Sequence, residues 1–561
     1  MGLFQENTKN ENYQLILTQY FKPGLVEKGN DKILIVYKDL KTNEKKFEVI
    51  TDPELEFYIN KDEYWTDLPV TFIDPEKTEL KKVKFKTLFK DIAYDLGKEQ
   101  VNFFNECVQS KRFGFLRQLH MNANLHGSDV EINDYYIGKF LDFYPPPEKV
   151  SITKSFLDIE TDIIDYTGGF PDEHDAPVPI LMISYLDVAS ETIFVFITDN
   201  ENNQSMQDFK ENLDDFKESF AKEILENDQL ELNINISFYE TEIEMITNCF
   251  KIINKCRPDF CGIFNMKFDV LTIINRIKKA NKNELKVMCP KEIPTKKVYF
   301  HEDFNNQSPA DKGDYLDIAS YTNFVDVMAL YANLRKTMGK LESYSLDSIA
   351  EIELGKKKVE FEGEETIKNL PYINFAKFFK YNVYDTIRLR QIEEKVGDID
   401  MLYNLGIMTR TRVNKTLKKT ICLRNLANKF YSNQGYIMSN NRNVNNSRSE
   451  NENKFRGAFV SSPLLNRHNG IVINGKKSKY IFENVIDMDL SSLYPSIILA
   501  FNIDTSTQFG RILMSNDIGE DLAPEFIDYL ISQNYLEIGN KYFNLPTATE
   551  IINMIQEKYY G

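Results

Sequence analysis

Three kinds of hydrophobic pattern follow one another along the chain. Through the first 144 residues, short β-rich runs such as KILIVYKD, KKFEVITD and PVTFID alternate with polar turns, which predicts a β-rich N-terminal region. FYPPPEKV (143–150) is a stiff, proline-rich break and a domain boundary. Beyond it SFLDIETD, PILMISYLDV, TIFVFITD and FCGIFN read as strands with helical patterns between and after them, an α/β layout. NQGYIMSNNRNVNNSRSENENK (433–454) is polar throughout and reads as a long loop or linker. After it GAFVSSP, GIVING and ENVIDMDL restart a β-rich region.

Composition changes this picture little. At 561 residues, 42% hydrophobic and 13% aromatic, the chain has material for several cores, roughly three or four domains by length alone. The six cysteines (Cys107, Cys249, Cys256, Cys261, Cys289, Cys422) form no CxxC and no Cys/His cluster, so they read as buried free thiols of a reducing compartment. No run of about 18 apolar residues exists and the first residues lack a signal-peptide pattern. The expectation is a soluble protein of the cytoplasm, with no membrane partner.

Charge cuts the other way. A formal net charge of −17 argues against nucleic acid at face value, but phosphate contact depends on where the cations lie. Residues 409–430 carry Arg410, Arg412, Lys415, Lys418, Lys419, Arg424 and Lys429 with no acid between them. Such a segment is either a solvated helix surface or part of a DNA path, as is the lysine-rich 275–298 region.

Three acidic clusters carry the chemistry. In SFLDIETD, strand alternation puts Asp158 and Glu160 on one face and Leu157 and Ile159 on the other. Two adjacent carboxylates repel unless a cation sits between them, and Mg²⁺ or Mn²⁺ prefers such oxygen ligands; a half-exposed edge strand would show the same pattern. In CGIFNMKFDVLTIINRIKKA (261–280) a buried strand ends near Phe264, and Asn265 and Asp269 open a helix with the apolar stripe Val270, Ile273, Ile274, Ile277. An ordinary helix-start acid takes the same position as Asp269. In FAKFFKYNVYDTIRLRQIEEKV (375–396), Tyr381 and Asp385 are i and i+4 and share a helix face with Phe378 and Leu389.

A fourth stretch, VIDMDLSSLYPSII, alternates Asp487 and Asp489 against Ile486, Met488 and Leu490, then turns through Ser491 and Ser492 into a short helix start around Pro495. Exposed N–H groups at such a turn suit a triphosphate, and Asp489 immediately before them suits its metal.

Taken together, Asp-x-Glu on a strand, Asn-x-x-x-Phe-Asp and Tyr-x-x-x-Asp, in that order, resemble the proofreading 3′→5′ exonuclease of the four-carboxylate class. The segment YSLDSIAEIELGKKK (344–358) looks like the one preceding the third of these motifs. Asp489 to Ser496 (Asp-x-x-Ser-Leu-Tyr-Pro-Ser) is similar to motif A of the family B DNA polymerases, and FRGAFV (455–460) to the segment linking exonuclease and polymerase domains, with Phe455 in place of Tyr. The whole resembles the T-even-type bacteriophage replicative polymerases.

The resemblance implies Asp158, Glu160, Asp269 and Asp385 as ligands of two Mg²⁺ or Mn²⁺ ions, Tyr381 as the residue orienting water and phosphate, and Asn265 and Phe268 as DNA contacts. It implies Asp489 and Leu490 as metal-binding positions of the polymerase site and Leu490, Ser491, Ser492, Leu493, Tyr494 and Lys558 as nucleotide-binding ones. Tyr494 would exclude a 2′-hydroxyl, and Arg456, Gly457 and Ala458 would touch template.

The implied architecture is α/β and α+β multidomain. An N-terminal domain (1–150) precedes a ribonuclease H-like exonuclease domain (151–398). A helical linker (399–454) returns to the N-terminal domain, followed by a partial palm (455–547) and the start of the fingers (548–561). The family's Lys-x-x-x-Asn-Ser-x-Tyr-Gly and Asp-Thr-Asp-Ser motifs do not occur in the sequence. Expected partners are therefore primer–template DNA, dNTP, a second polypeptide carrying the rest of palm, fingers and thumb, and through it a sliding clamp, in the host cytoplasm if the source is viral. Such a polymerase would be either naturally split or truncated; the alternatives are a stand-alone 3′→5′ DNA exonuclease and a catalytically silent DNA-binding or assembly module.

Overall fold

The computed structural model describes residues 3–4, 12–21, 32–60, 80–86, 125–127, 130–147, 150–304, 308–339, 341–356, 366–438, 472–473, 476–477, 492–501, 511–512, 535–538 and 541–544. The chain divides into two compact units, Met1–Asn446 and Ser447–Gly561.

The first unit opens with an antiparallel sheet of β1 (Tyr13–Phe21), β2 (Lys32–Asp39) and β3 (Lys45–Thr51). Ile33, Leu34, Ile35 and Val36 of β2 are all fully buried, because the sheet is covered on both faces. That is why KILIVYK shows no polar alternation. β4 (Glu54–Asn60), β5 (Leu80–Lys86) and β6 (Leu125–His126) form a second sheet in the order β5-β4-β6. Helix α1 (Ile132–Phe143) lays Tyr136, Ile137 and Phe140 against Tyr13, Leu15, Ile33 and Ile35. The chain leaves α1 at Phe143, and the following prolines carry no regular structure, as the sequence predicts.

A six-stranded mixed sheet follows, built from β7 (Lys154–Thr161), β8 (Ile180–Asp187), β9 (Thr192–Thr198), β10 (Asn233–Tyr239), β11 (Phe260–Ile263) and, after the ribbon β12 (Val298–His301) and β13 (Tyr315–Ile318), β14 (Asn323–Asp326). Its order is β10-β9-β8-β7-β11-β14. β7 pairs antiparallel with β8 and β8 with β9, whereas β11 runs parallel to both β7 and β14. β10, parallel to β9, has no counterpart among the predicted strands, because Asn233, Asn235 and Ser237 break the apolar run.

The longer helices of the unit after α1 are α2 (Gln204–Glu211), α3 (Leu213–Asp228), α4 (Glu242–Cys256), α5 (Met266–Lys279), α6 (Val327–Leu334), α7 (Leu346–Leu354), α8 (Phe375–Val396), α9 (Asp398–Thr409) and α10 (Lys419–Asn433). The central sheet separates two apolar cores. One holds Leu157 and Ile159 with the α4 and α5 stripes, including Val270, Ile273, Ile274 and Ile277; the other holds Phe156 with Phe378, Val383 and Leu389 of α8. Gly262 in β11 is required by this packing: a Cβ there would lie 2.8 Å from the Val327 side chain and 2.9 Å from Phe156.

The basic segment is not one exposed helix face. Arg410 ends α9 in a left-handed conformation, and the chain restarts as α10 at Lys419. Arg410 and Lys429 both pair with Asp142 of α1, at 2.7 and 2.8 Å, and Arg412 pairs with Glu131 at 2.9 Å. These cations are spent on α1, which the sequence could not reveal because their partners lie about 270 or more residues away. Five cysteines are described and all are free, four of them buried and Cys256 half-buried; Cys107 lies outside the described residues.

In the second unit, helix α11 (Leu493–Ala500) starts after Ser492, two residues before Pro495. Proline then occupies the first turn, where its missing N–H has no helical partner to lose. Among the described residues, no helix is long and apolar enough to cross a membrane.

Candidate metal centre

Strand and helix lengths place the acids. β11 pairs with β7 only as far as Leu157, opposite Ile263, so β7 runs on past the end of its neighbour. Asp158 and Glu160 stand on that overhang, opposite Ser184 and Met182 of β8. They share the face that carries Phe156, as strand alternation predicts. α8 packs across β7 and β8 there and brings Asp385 to them. Carboxylate oxygens of Asp158, Glu160 and Asp385 lie within 4.8 Å of one another.

Two further groups close around this trio. Asp269 sits in the first turn of α5, which begins where β11 ends, and its Oδ2 is buried without a hydrogen-bond partner. Burial raises its carboxyl well above the ordinary value, and the negative fields of Asp158, Glu160 and Asp326 add to that. Asp158 is likewise raised, by burial first and Glu160 second, against a hydrogen bond from Asn382 that favours the charged form. Tyr381, one turn before Asp385 on α8, is held well above the usual phenol range by burial and by Asp385, Glu160 and Asp158. Its phenol therefore stays protonated and can donate.

Asn382 is a site residue that the motif reading missed. Its Nδ2 donates to Asp158 Oδ2 at 2.7 Å, and its carbonyl accepts from the Ser184 hydroxyl at 3.2 Å. One fully buried residue thus ties α8 to both strands beneath it. The signal was faint: a single amide beside Tyr381, on a helix whose buried residues are mostly apolar but also include Thr386, Arg390 and Glu393.

Asn265 and Phe268 flank the same edge. Asn265 takes the left-handed conformation that ends β11 and starts α5, and the Phe268 ring lies 4.9 Å from that of Phe170, itself 75% exposed. The Phe170 loop is held to α5 by Lys267 on Glu173 at 2.9 Å and by the Arg276 and Lys279 side chains on the Ala176 carbonyl.

Of the residues expected in the nucleotidyl-transfer site, Ser492, Leu493 and Tyr494 are described, all exposed at the start of α11. Asp489, Leu490, Ser491, Lys558, Arg456, Gly457 and Ala458 lie outside the described residues.

Comparison with known proteins agrees with the geometry. Residues 134–349 match the model of the DNA polymerase family B exonuclease domain. The chain is 23% identical over 470 residues to the DNA-directed DNA polymerase of Escherichia phage RB69, covering 81% of this chain and 48% of that one. It is 24% identical over 392 residues to that of Enterobacteria phage T4, covering 68% and 39%. A shorter match, 25% over 176 residues, reaches 31% of this chain and 17% of the DNA polymerase of Autographa californica nuclear polyhedrosis virus. The chain spans about half, or less, of the length of the polymerases it matches.

Proposed function

With residues 134–349 matching a family B DNA polymerase exonuclease domain, we propose that this part of the chain, completed by α8, removes nucleotides from the 3′ end of DNA by metal-assisted phosphodiester hydrolysis, in a proofreading role. The observation that carries the reading is the convergence of Asp158, Glu160 and Asp385 within 4.8 Å at the overhanging end of β7. The order β9-β8-β7-β11-β14, with the first three strands antiparallel and the rest parallel, supports a ribonuclease H-like domain.

The residues fit divalent cations. Like charges packed this closely are stable only when protonated or bridged, and Asp269 Oδ2 is a buried acceptor with no donor. Asp158, Glu160, Asp269 and Asp385 would hold two Mg²⁺ or Mn²⁺ ions. When bound, such ions supply a hydroxide nucleophile at neutral pH and neutralise the charge on the phosphate and departing 3′ oxygen. Tyr381 would donate its phenolic proton in a hydrogen bond to the water or the scissile phosphate. Asn382 keeps the Asp158 carboxylate in one orientation. Asn265 and the Phe268 ring would receive the terminal nucleotide.

We extend the reading to DNA synthesis through Asp489 to Ser496, with Asp489 and Leu490 as metal-binding positions, Leu490 to Tyr494 and Lys558 facing dNTP, and Arg456 to Ala458 facing primer–template. The second metal-binding aspartate of that site would come from outside these 561 residues.

The test uses a 5′-labelled primer–template with Mg²⁺, with and without dNTPs, and an Asp158→Ala/Glu160→Ala variant. Stepwise 3′ shortening is expected from the wild type and a loss of roughly 1,000-fold or more from the variant, since the metal contribution is worth several kcal/mol. Shortening that persists in the variant, or none from the wild type, overturns the exonuclease reading. Extension by these 561 residues alone overturns the need for an aspartate from outside them.

A further inference from the structure

We propose that Asp326 is a positioning residue for the cation-binding carboxylates, acting through α5 on Asp269; this rests on the exonuclease reading above. Asp326 ends β14, paired with Ile263 at the end of β11, and is buried. Its two oxygens serve two helices. Oδ2 accepts from the backbone N–H of Met266, the first residue of α5, at 3.1 Å; Oδ1 accepts from the N–H of Ala329 in α6 at 3.0 Å.

α5 needs this outside support. Asn265, at its N-cap position, makes no side-chain capping bond, so an orphan amide of the first turn is satisfied by a residue 60 positions away. The amide Asp326 holds lies three residues before Asp269. A shift of the α5 start therefore moves Asp269 directly, whereas a local cap would leave the helix free to pivot on the end of β11. α6 is anchored by the same carboxylate, which fixes Asp326 itself.

A neutral amide side chain in its place would offer one acceptor oxygen where two are used, leaving one of the two N–H groups unpaired. An acid is costly here, because it is buried and its field acts on Asp269. The other charges facing Asp326 are Lys312 and Asp314. With a cation bound, the negative field of Asp326 adds to the attraction that holds it, which gives the buried acid a role beyond capping.

The test compares Asp326→Asn and Asp326→Glu with the wild type in three measurements. Mn²⁺ binding to the DNA-free protein is followed by titration calorimetry, exchange of the Met266 amide by hydrogen–deuterium exchange, and 3′ shortening under single turnover. Loss of such an outer partner typically weakens metal binding about 10- to 100-fold. We expect a fall of that size in Mn²⁺ affinity and single-turnover rate for Asp326→Asn, faster exchange at Met266, and DNA affinity in chelator within about twofold of wild type. Partial rescue by Asp326→Glu is also expected.

Mn²⁺ affinity of Asp326→Asn equal to wild type overturns the proposal. So does a variant that loses metal and DNA binding together through unfolding, since Asp326 would then be a structural residue only. A wild type that does not shorten DNA sinks the exonuclease reading separately; the Mn²⁺ titration still decides Asp326.

Discussion

Asp259 and Asp269 stand ten residues apart, before and after β11, and both are buried, yet they are opposites. Asp259 accepts from the Thr153 backbone N–H at 2.6 Å and its hydroxyl at 3.0 Å, and Lys38 and Lys45 reach it at 3.1 and 2.8 Å. Burial works against its charge, but the two ammonium groups outweigh it and hold the carboxyl below its usual range. Asp269 has acids for neighbours and is pushed up. A buried acid whose countercharges come from the protein itself holds elements together. One whose charged neighbours among the described residues are acids, as for Asp269, is instead held toward its protonated form. Asp317 belongs with Asp259: burial is outweighed by His301, Lys297 and Gln19, and its carboxyl is held well below the usual range.

The largest effect that would break this contrast comes from Asp259→Ala. It strands two buried ammonium groups, so urea unfolding should lose about 3–5 kcal/mol. A loss under 1 kcal/mol would mean that the lysines find water or other acceptors. Asp269→Asn should do the reverse in chelator, raising the melting temperature by roughly 2–4 °C for about 1 kcal/mol relieved, while abolishing the extra stabilisation that Mn²⁺ gives the wild type. Unchanged Mn²⁺ stabilisation would remove Asp269 from the cation site.

Acid sharpens the same comparison. Asp259 and Asp317 have depressed folded-state values, so the native state binds fewer protons than the unfolded chain. Their stabilisation is complete above the ordinary carboxylate value, roughly pH 4, and is lost as pH falls below it. Melts between about pH 5 and 2 should show the steepest loss of stability in the wild type. An Asp259→Asn variant should show a shallower one, and equal slopes would remove Asp259 from the ledger of acid-sensitive contacts. The smallest effect belongs to Lys429→Ala. Its partner Asp142 is half exposed and also held by Arg410, so a change of about 0.5 kcal/mol or less is expected. More than 1 kcal/mol would mean that the α1–α10 contact is stronger than a surface pair.

What the sequence made legible was local. Asp158 and Glu160 were readable because a strand alternates every two residues, Tyr381 and Asp385 because a helix returns every four, and the α5 stripe for the same reason. The residues that hold those acids in place were not readable. Asn382 reaches Asp158 across 224 positions and Asp326 reaches Met266 across 60, and each looks like an ordinary polar residue beside apolar neighbours. The pairing of Arg410, Arg412 and Lys429 within the basic run was unreadable for the matching reason: their acids, Glu131 and Asp142, precede the proline break. β10 escaped because an edge strand packed by one face tolerates asparagine at alternate positions.

The Lys38–Lys45–Asp259 contact also has a consequence in time. Lys38 and Asp259 are 221 residues apart. At synthesis rates of about 5–20 residues per second, the ribosome exposes the two lysines roughly 10–40 seconds before it makes their acid. During that interval β2 and β3 can pair, but neither ammonium can be desolvated, so the hairpin must wait with that edge wet. The salt bridge itself can therefore form only after β11 has been made, so docking of the two sheets is expected to follow, not accompany, formation of the β2–β3 hairpin.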